Sequence, residues 1–192
     1  MGPTRSRAPG RSSREAFIRT TAKLLRRRGY AASGLNEIVA LSGAPKGSLY
    51  FHFPGGKEEL AVAAMTRSGE QLTRAIEGAL GSREDLGEGL GLLIDALGEG
   101  LRASGYADGC PIATVALEGS TESEAVRAAA AGAFDAWLAV LRSRIAAAGL
   151  DEDAAARRAL LALCAIEGAL ILARAQRDLA PLRAVREELL AL

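Results

Sequence analysis

Two cysteines, Cys110 and Cys164, are all the chain contains, and they lie far apart. That is too few for a disulfide scaffold or a zinc knuckle, and free thiols suit a reducing cytoplasm. Histidine occurs once, as His52. No H-E-x-x-H, C-x-x-C, G-x-S-x-G or Walker A pattern is present, and G-A-P-K-G-S at 43–48 lacks the order of a phosphate-binding loop. G-E-G-L-G at 87–91 follows no strand pattern and sits inside a helical period, so it is not a dinucleotide loop. Without a base or a metal cluster, catalysis has little to work with. The chain reads as a non-enzyme that needs no cofactor and no metal. Long apolar runs are also missing. The longest, 159–173, is interrupted by Glu167 and falls short of a membrane span. Residues 1–10 are basic and rich in Pro and Gly, unlike a signal peptide. The expectation is a soluble, cytoplasmic protein with no membrane partner.

Proline is scarce, at 6 residues, and β-branched residues are sparse, whereas Ala, Leu, Arg and Glu abound. Such a composition favours an all-α fold. A chain of 192 residues buries enough surface to fold without staples. Its net charge of +1 hides an asymmetry. Residues 1–57 hold 11 Lys/Arg against 2 Asp/Glu, and residues 58–192 hold 13 against 21. A basic first third on an acidic remainder is the footprint of a nucleic-acid-binding head on a non-binding body.

The basic third opens with Arg5, Arg7 and Arg11 among Pro, Gly and Ser, an arm suited to phosphate or minor-groove contact or to solubility alone. Ser12-x-x-Glu15 reads as a capping box opening a helix to Arg28, with Phe17, Ile18, Ala22, Leu24 and Leu25 inward and Gly29 as the stop. Leu35, Ile38 and Val39 give a short second helix to Leu41. Ser42-Gly43 breaks it, Pro45 starts a third that runs to about Phe51, and Pro54-Gly55-Gly56 ends that. Two short helices across a tight Gly turn are the layout of a helix-turn-helix, whose second helix enters the DNA major groove. Lys46, Gly47, Ser48, Tyr50 and His52 suit that task, with Leu49 and Phe53 able to face inward. Gly47 is costly in a helix by about 1 kcal/mol, which is sensible where backbone must lie against DNA.

Taken together, G-Y at 29–30, Ile38, Gly43, K-G-S-L-Y at 46–50, H-F at 52–53 and K-E-E-L at 57–60 strongly resemble the N-terminal domain of the tetracycline-repressor (TetR) family of transcriptional regulators. The match covers about the first third of the chain and is specific, because many residues recur in one order at one spacing. Gly34 stands where the family usually has Thr, and Val39 where it has Ala; Ser33 offers a replacement hydroxyl. Together with Ala44-Pro45 and the extra Gly at 55–56, these departures look like a subgroup that includes regulators of drug-resistance exporters. The resemblance implies a DNA-binding domain at 1–56 and a helical effector-binding and dimerisation domain at 57–192. It implies DNA contacts from Ser33, Lys46, Gly47, Ser48, Leu49, Tyr50, His52 and Lys57. Ser48 and Leu49 would lie nearest the base edges and the others would mostly reach phosphates. The implied partners are near-palindromic operator DNA, a second copy of the chain and a small apolar or amphipathic effector.

Beyond residue 57 the pattern continues as helices at 57–80, 83–104, 111–118, a fourth to about 148, 152–175 and 181–190, with Thr121-x-x-Glu124 as a second capping box. The helix at 57–80 is the expected lever between effector and DNA. In 152–175, Leu160, Leu163, Cys164, Glu167 and Ile171 form one stripe, and Leu161, Ala165, Gly168 and Leu172 another. A helix apolar on two faces is buried on two sides. The expected dimer surface is therefore Leu160, Leu163, Cys164, Glu167 and Ile171 with Leu182, Val185 and Leu189. Cys110, Ile112, Val115, Phe134, Trp137 and Cys164 are candidates for the effector site, although such stripes are also what a plain core looks like. The rival reading is a helical small-molecule carrier or enzyme with a vestigial head.

Overall fold

The computed structural model describes residues 13–119 and 123–189, and over these it consists of nine α-helices without a strand. They are α1 (Ser13–Arg28), α2 (Leu35–Ser42), α3 (Gly47–His52), α4 (Gly56–Gly81), α5 (Leu86–Ala103), α6 (Pro111–Gly119), α7 (Glu124–Ala147), α8 (Glu152–Gln176) and α9 (Ala180–Leu189). The all-α expectation holds for the described residues. The basic arm and Ser12 of the first capping box lie outside them, as does Thr121 of the second.

The first three helices close over a small core of Phe17, Leu25, Ile38, Leu49 and Phe53, all buried. Phe17 meets Phe53 edge-on with ring centres 6.4 Å apart, a favoured aromatic geometry. α2 stops at Gly43, whose φ of +67° is left-handed backbone that a side chain would strain. The turn is thus written into one residue.

α4 joins this head to the rest. It packs on α1, reinforced by an Arg67–Glu15 ion pair, and on α7, where the buried Trp137 indole donates to the Gly69 carbonyl at 3.1 Å. A Cβ at Gly69 would stand 3.0 Å from that of Ala133, so the glycine lets α4 and α7 approach closely. α5 packs against α4 and α9, and α8 lies between α7 and α9. α8 is long and apolar enough by composition to cross a membrane, with a stretch of mean hydropathy 1.6. Ala155, Ala159, Ala162, Leu163, Ile166, Ala169, Leu170 and Ala173 bury one side of it in the body, as a core helix does.

Caps account for the shifted boundaries. α5 begins at Leu86 rather than Arg83, because Asp85 accepts from the Glu88 N–H at 2.8 Å. α7 is capped by Ser123, whose hydroxyl accepts from the Val126 N–H at 3.2 Å. Asp151 does the same for α8 at 2.8 Å. Each satisfies an N–H that the first helical turn leaves without a partner.

Candidate nucleic-acid interface and ligand cavities

α3 sorts the expected DNA contacts into two groups. Lys46, Gly47 and Tyr50 lie on the outer side, and Ser48 and His52 are half-buried. Leu49 is 1% exposed and belongs to the core of the head. It anchors α3 from behind and cannot read a base edge. Ser33 is equally buried and donates its hydroxyl to the Gly29 carbonyl at 2.6 Å, so it has no proton left for a phosphate. Its work is to close the turn after α1. The Ser48 hydroxyl donates to the Pro45 carbonyl at 2.7 Å, tying down the start of α3. A Cβ at Gly47 would meet nothing within 4 Å. The glycine therefore serves no packing need inside the chain.

One outward residue escaped the sequence reading. Phe51 is 82% exposed, more than its neighbour Tyr50 at 60%, and its ring meets that of His52 edge-on at 5.1 Å. A six-residue helix gives too short a period for the sequence to say which aromatic faces outward. Lys57 donates to the Ala31 carbonyl at 3.2 Å and lies 4.4 Å from the centre of the Tyr30 ring. Its charge is thereby fixed at the rim between α1 and α4.

Behind the head, the end of α1 is completed by groups from the body. The Arg26 carbonyl accepts from the Gly109 N–H at 3.1 Å, and the Arg27 carbonyl from the Arg174 guanidinium at 2.9 Å. Arg27 pairs with Asp108 at 2.6 Å, and Arg26 lies 4.0 Å from the same carboxylate. Glu118 of α6 accepts from the Ala31 N–H at 3.2 Å and presses against Gly29, the residue in left-handed conformation that ends α1. Carbonyls that a helix leaves open at its C-terminus need partners. Here the partners are residues 109 and 174, distant in sequence.

The same residues line two adjoining cavities. The outer, of about 710 Å³, is walled by Tyr106, Thr114, Leu117, Glu118, Ile171 and Arg174 among others. The inner, of about 290 Å³, lies among Leu72, Ile76, Leu97, Leu101, Trp137 and Ile166, with Arg26 and Asp108 also on its wall. Gly109, Cys110, Glu167 and Leu170 belong to both. Burial first, and then the Glu167 carboxylate, push the Cys110 thiol well above its ordinary value. It is thus a thiol and not a reactive thiolate. Burial likewise raises Glu167.

Of the six expected effector-site residues, these walls hold two, Cys110 and Trp137. Ile112 and Val115 are fully buried packing residues of α6. Phe134 braces Trp137 edge-on at 5.4 Å instead of facing a cavity, and Cys164 is exposed on α8. The expected dimer surface also divides. Leu163, Leu182 and Leu189 are buried within their own chain, and Glu167 faces the cavities. Val185 is half-buried. Leu160, Cys164 and Ile171 remain outward, where Leu161 and Leu172 join them. The two stripes of the sequence thus exchange members: one outward apolar band draws on both. Among the described residues no group of His, Cys, Asp or Glu could hold a metal ion.

Residues 17–64 match the family model for bacterial regulatory proteins of the tetR family. Residues 87–188 match that for the transcriptional regulator LmrA/YxaF-like C-terminal domain. An HTH-type transcriptional regulator of Mycobacterium tuberculosis strain H37Rv is 38% identical over 181 residues, 92% of this chain and 91% of its own. The HTH-type transcriptional regulator LmrA of Bacillus subtilis is 33% identical over 170 residues, 88% of this chain and 90% of its own. The fold is similar to that of a TetR regulatory protein from Rhodobacter sphaeroides, with TM-score 0.83, 24% identity, and coverage of 93% of this chain and 97% of that one. The helix-turn-helix head, the helical body behind it and both family matches make this chain a member of the TetR family of DNA-binding transcriptional regulators, with a body of the LmrA/YxaF-like type.

Proposed function

We propose that the protein is a homodimeric cytoplasmic repressor without enzymatic activity, released from a near-palindromic operator when a small apolar or amphipathic effector enters the cavities walled by α1 and by α4 to α8. Residues 1–56 form the DNA-binding unit and 57–192 the effector-binding and dimerisation unit. Lys46, Tyr50, His52 and Lys57 position the protein on phosphates. Phe51 is added to the reading surface, and Gly47 allows backbone approach near Ser48. Two copies of α3 enter successive major grooves about 34–36 Å apart. Leu160, Leu161, Cys164, Ile171 and Leu172 carry the dimer contact.

The single observation behind the effector reading is that cavity wall and head seam are made of the same residues. Asp108, Gly109, Glu118 and Arg174 all line a cavity and all touch the end of α1, whose own Arg26 lines the inner one. An effector that displaces any of them changes how the head is held, so occupancy and head position are coupled. The sequence reading put the lever in α4; the α6 edge supplies a second, shorter route.

The test is footprinting on the DNA flanking the protein's own gene, with Tyr50→Ala as control. A protected near-palindrome, lost in the variant, is the expected result. Absence of protection by folded protein at low salt counts against the regulator reading at that locus.

A further inference from the structure

We propose that the effector is a small lipophilic cation, a protonated amine on an apolar body, whose charge is met by Glu167 and whose body fills the inner cavity beside Trp137. The proposal rests on the cavities being the effector site.

The rest of the inner cavity is mostly apolar, and apart from Gln71 its polar groups already have neighbours within the chain. The Trp137 indole N–H is given to the Gly69 carbonyl and the Ser68 hydroxyl to the Ala64 carbonyl. Arg26 lies beside Asp108, itself held by Arg27, and the Cys110 thiol donates to Glu167. Arg174, on the outer wall, is given to the Arg27 carbonyl. Gln71 is exposed and neutral, and the ionisable group left on this wall is the Glu167 carboxyl, whose Oε2 is buried without a hydrogen-bond partner. A buried carboxylate oxygen in that condition is costly and asks for a counter-charge.

Ligand classes separate on this basis. An anion would meet the carboxylate with like charge. A neutral donor would supply a hydrogen bond but no compensating charge. An ammonium supplies both, and charge-assisted bonds are about twice as strong as neutral ones. The apolar remainder of the lining, Leu72, Ile76, Leu97, Leu101 and Ile166, sets the demand for a hydrophobic body. An inner volume of about 290 Å³ limits that body to one or two small rings.

Trp137 is the chain's one tryptophan and lies on the cavity wall, so its fluorescence reports occupancy directly. The full-length protein is titrated at neutral pH with N,N-dimethylbenzylamine, which is protonated there and keeps one N–H, and with its neutral isostere isobutylbenzene, which differ in charge and hardly in shape. The cation is expected to bind about tenfold or more tightly, the worth of one hydrogen bond to a charged group. In Glu167→Gln, with helicity checked by circular dichroism, that preference should disappear. Equal binding of both compounds would overturn the cation class and leave the cavity reading intact. A preference that survives in Glu167→Gln would remove Glu167 from the proposal and so overturn it. Silence of Trp137 toward both compounds would bring down the cavity reading together with the inference built on it. The comparison in the unaltered protein does not depend on any variant folding.

Discussion

Gly29→Ala tests the seam between α1 and α6 in a way that can be worked from the structure. The residue has φ +76°, and a Cβ there would come within 2.2 Å of the Glu118 carboxylate. A left-handed alanine costs about 1–2 kcal/mol. The clashing atoms are the far end of a flexible, exposed side chain, so they move aside, and the further cost is the lost bond to the Ala31 N–H. At a solvated site that bond is worth about 0.5–1 kcal/mol. Gly29→Ala alone should therefore destabilise by about 1.5–3 kcal/mol, and Glu118→Ala alone by about 0.5–1 kcal/mol. In the double variant the same bond cannot be lost twice, so its cost should match that of Gly29→Ala alone. Urea denaturation of the four proteins closes the cycle, at fixed protein concentration because the stability of the proposed dimer would depend on it. Simple additivity of the single costs, beyond the usual error of about 0.5 kcal/mol, would refute the claimed contact. A cheap Gly29→Ala would refute the backbone strain.

Phe51→Ala should leave stability within about 0.5 kcal/mol, since the ring is mostly exposed, and should weaken operator binding in a gel-shift assay; unchanged affinity removes Phe51 from the interface. Leu161→Asp with Leu172→Asp, placed on the exposed band of α8, should give a monomer by analytical ultracentrifugation; a persistent dimer would locate the contact elsewhere. Trp137→Phe removes the indole bond to the Gly69 carbonyl, which keeps its bond from the Thr73 hydroxyl at 3.0 Å, and should cost about 0.5–1.5 kcal/mol in denaturant. Burial raises Glu167, so the folded state holds a proton that the unfolded chain releases at about pH 4.3. Unfolding of the effector-free protein should thus become easier as pH rises from that value through the raised one. Glu167→Gln should lack this slope, and parallel profiles of the two proteins would refute it.

The head was legible because its signals are local. Gly43, Pro45 and the Pro54-Gly55-Gly56 stop punctuate elements only a few residues long, and a compound motif fixes their order. What could not be read was which side of α3 faces out, since six residues barely make two turns; hence Leu49 was placed on the DNA and Phe51 overlooked. Caps went astray for a related reason. Ser, Thr and Asp crowd the stretches before α5 and α7, and tertiary context selects Asp85 and Ser123. The cavities were illegible in a deeper sense. Their walls come from α1, α4, α5, α6, α7 and α8, and nothing local marks Leu101 and Leu163 as cavity wall but Ile112 and Val115 as solid core. α8 is apolar nearly all round, so its two stripes could not be sorted until α7 and α9 claimed one side.

The seam at the end of α1 also bears on how such regulators diversify. A head severed near residue 56 and joined to another body would present the Arg26 and Arg27 carbonyls, and the Ala31 amide, to whatever surface it met. Unless that body offered an amide where Gly109 stands, a guanidinium where Arg174 stands and a carboxylate where Glu118 stands, the graft would fit loosely and respond poorly. On the proposed coupling, operator choice and effector choice are not freely interchangeable parts. Recombination that moves one without the seam should yield proteins that bind DNA but no longer listen, and engineers building hybrid sensors should transplant α6 along with α1.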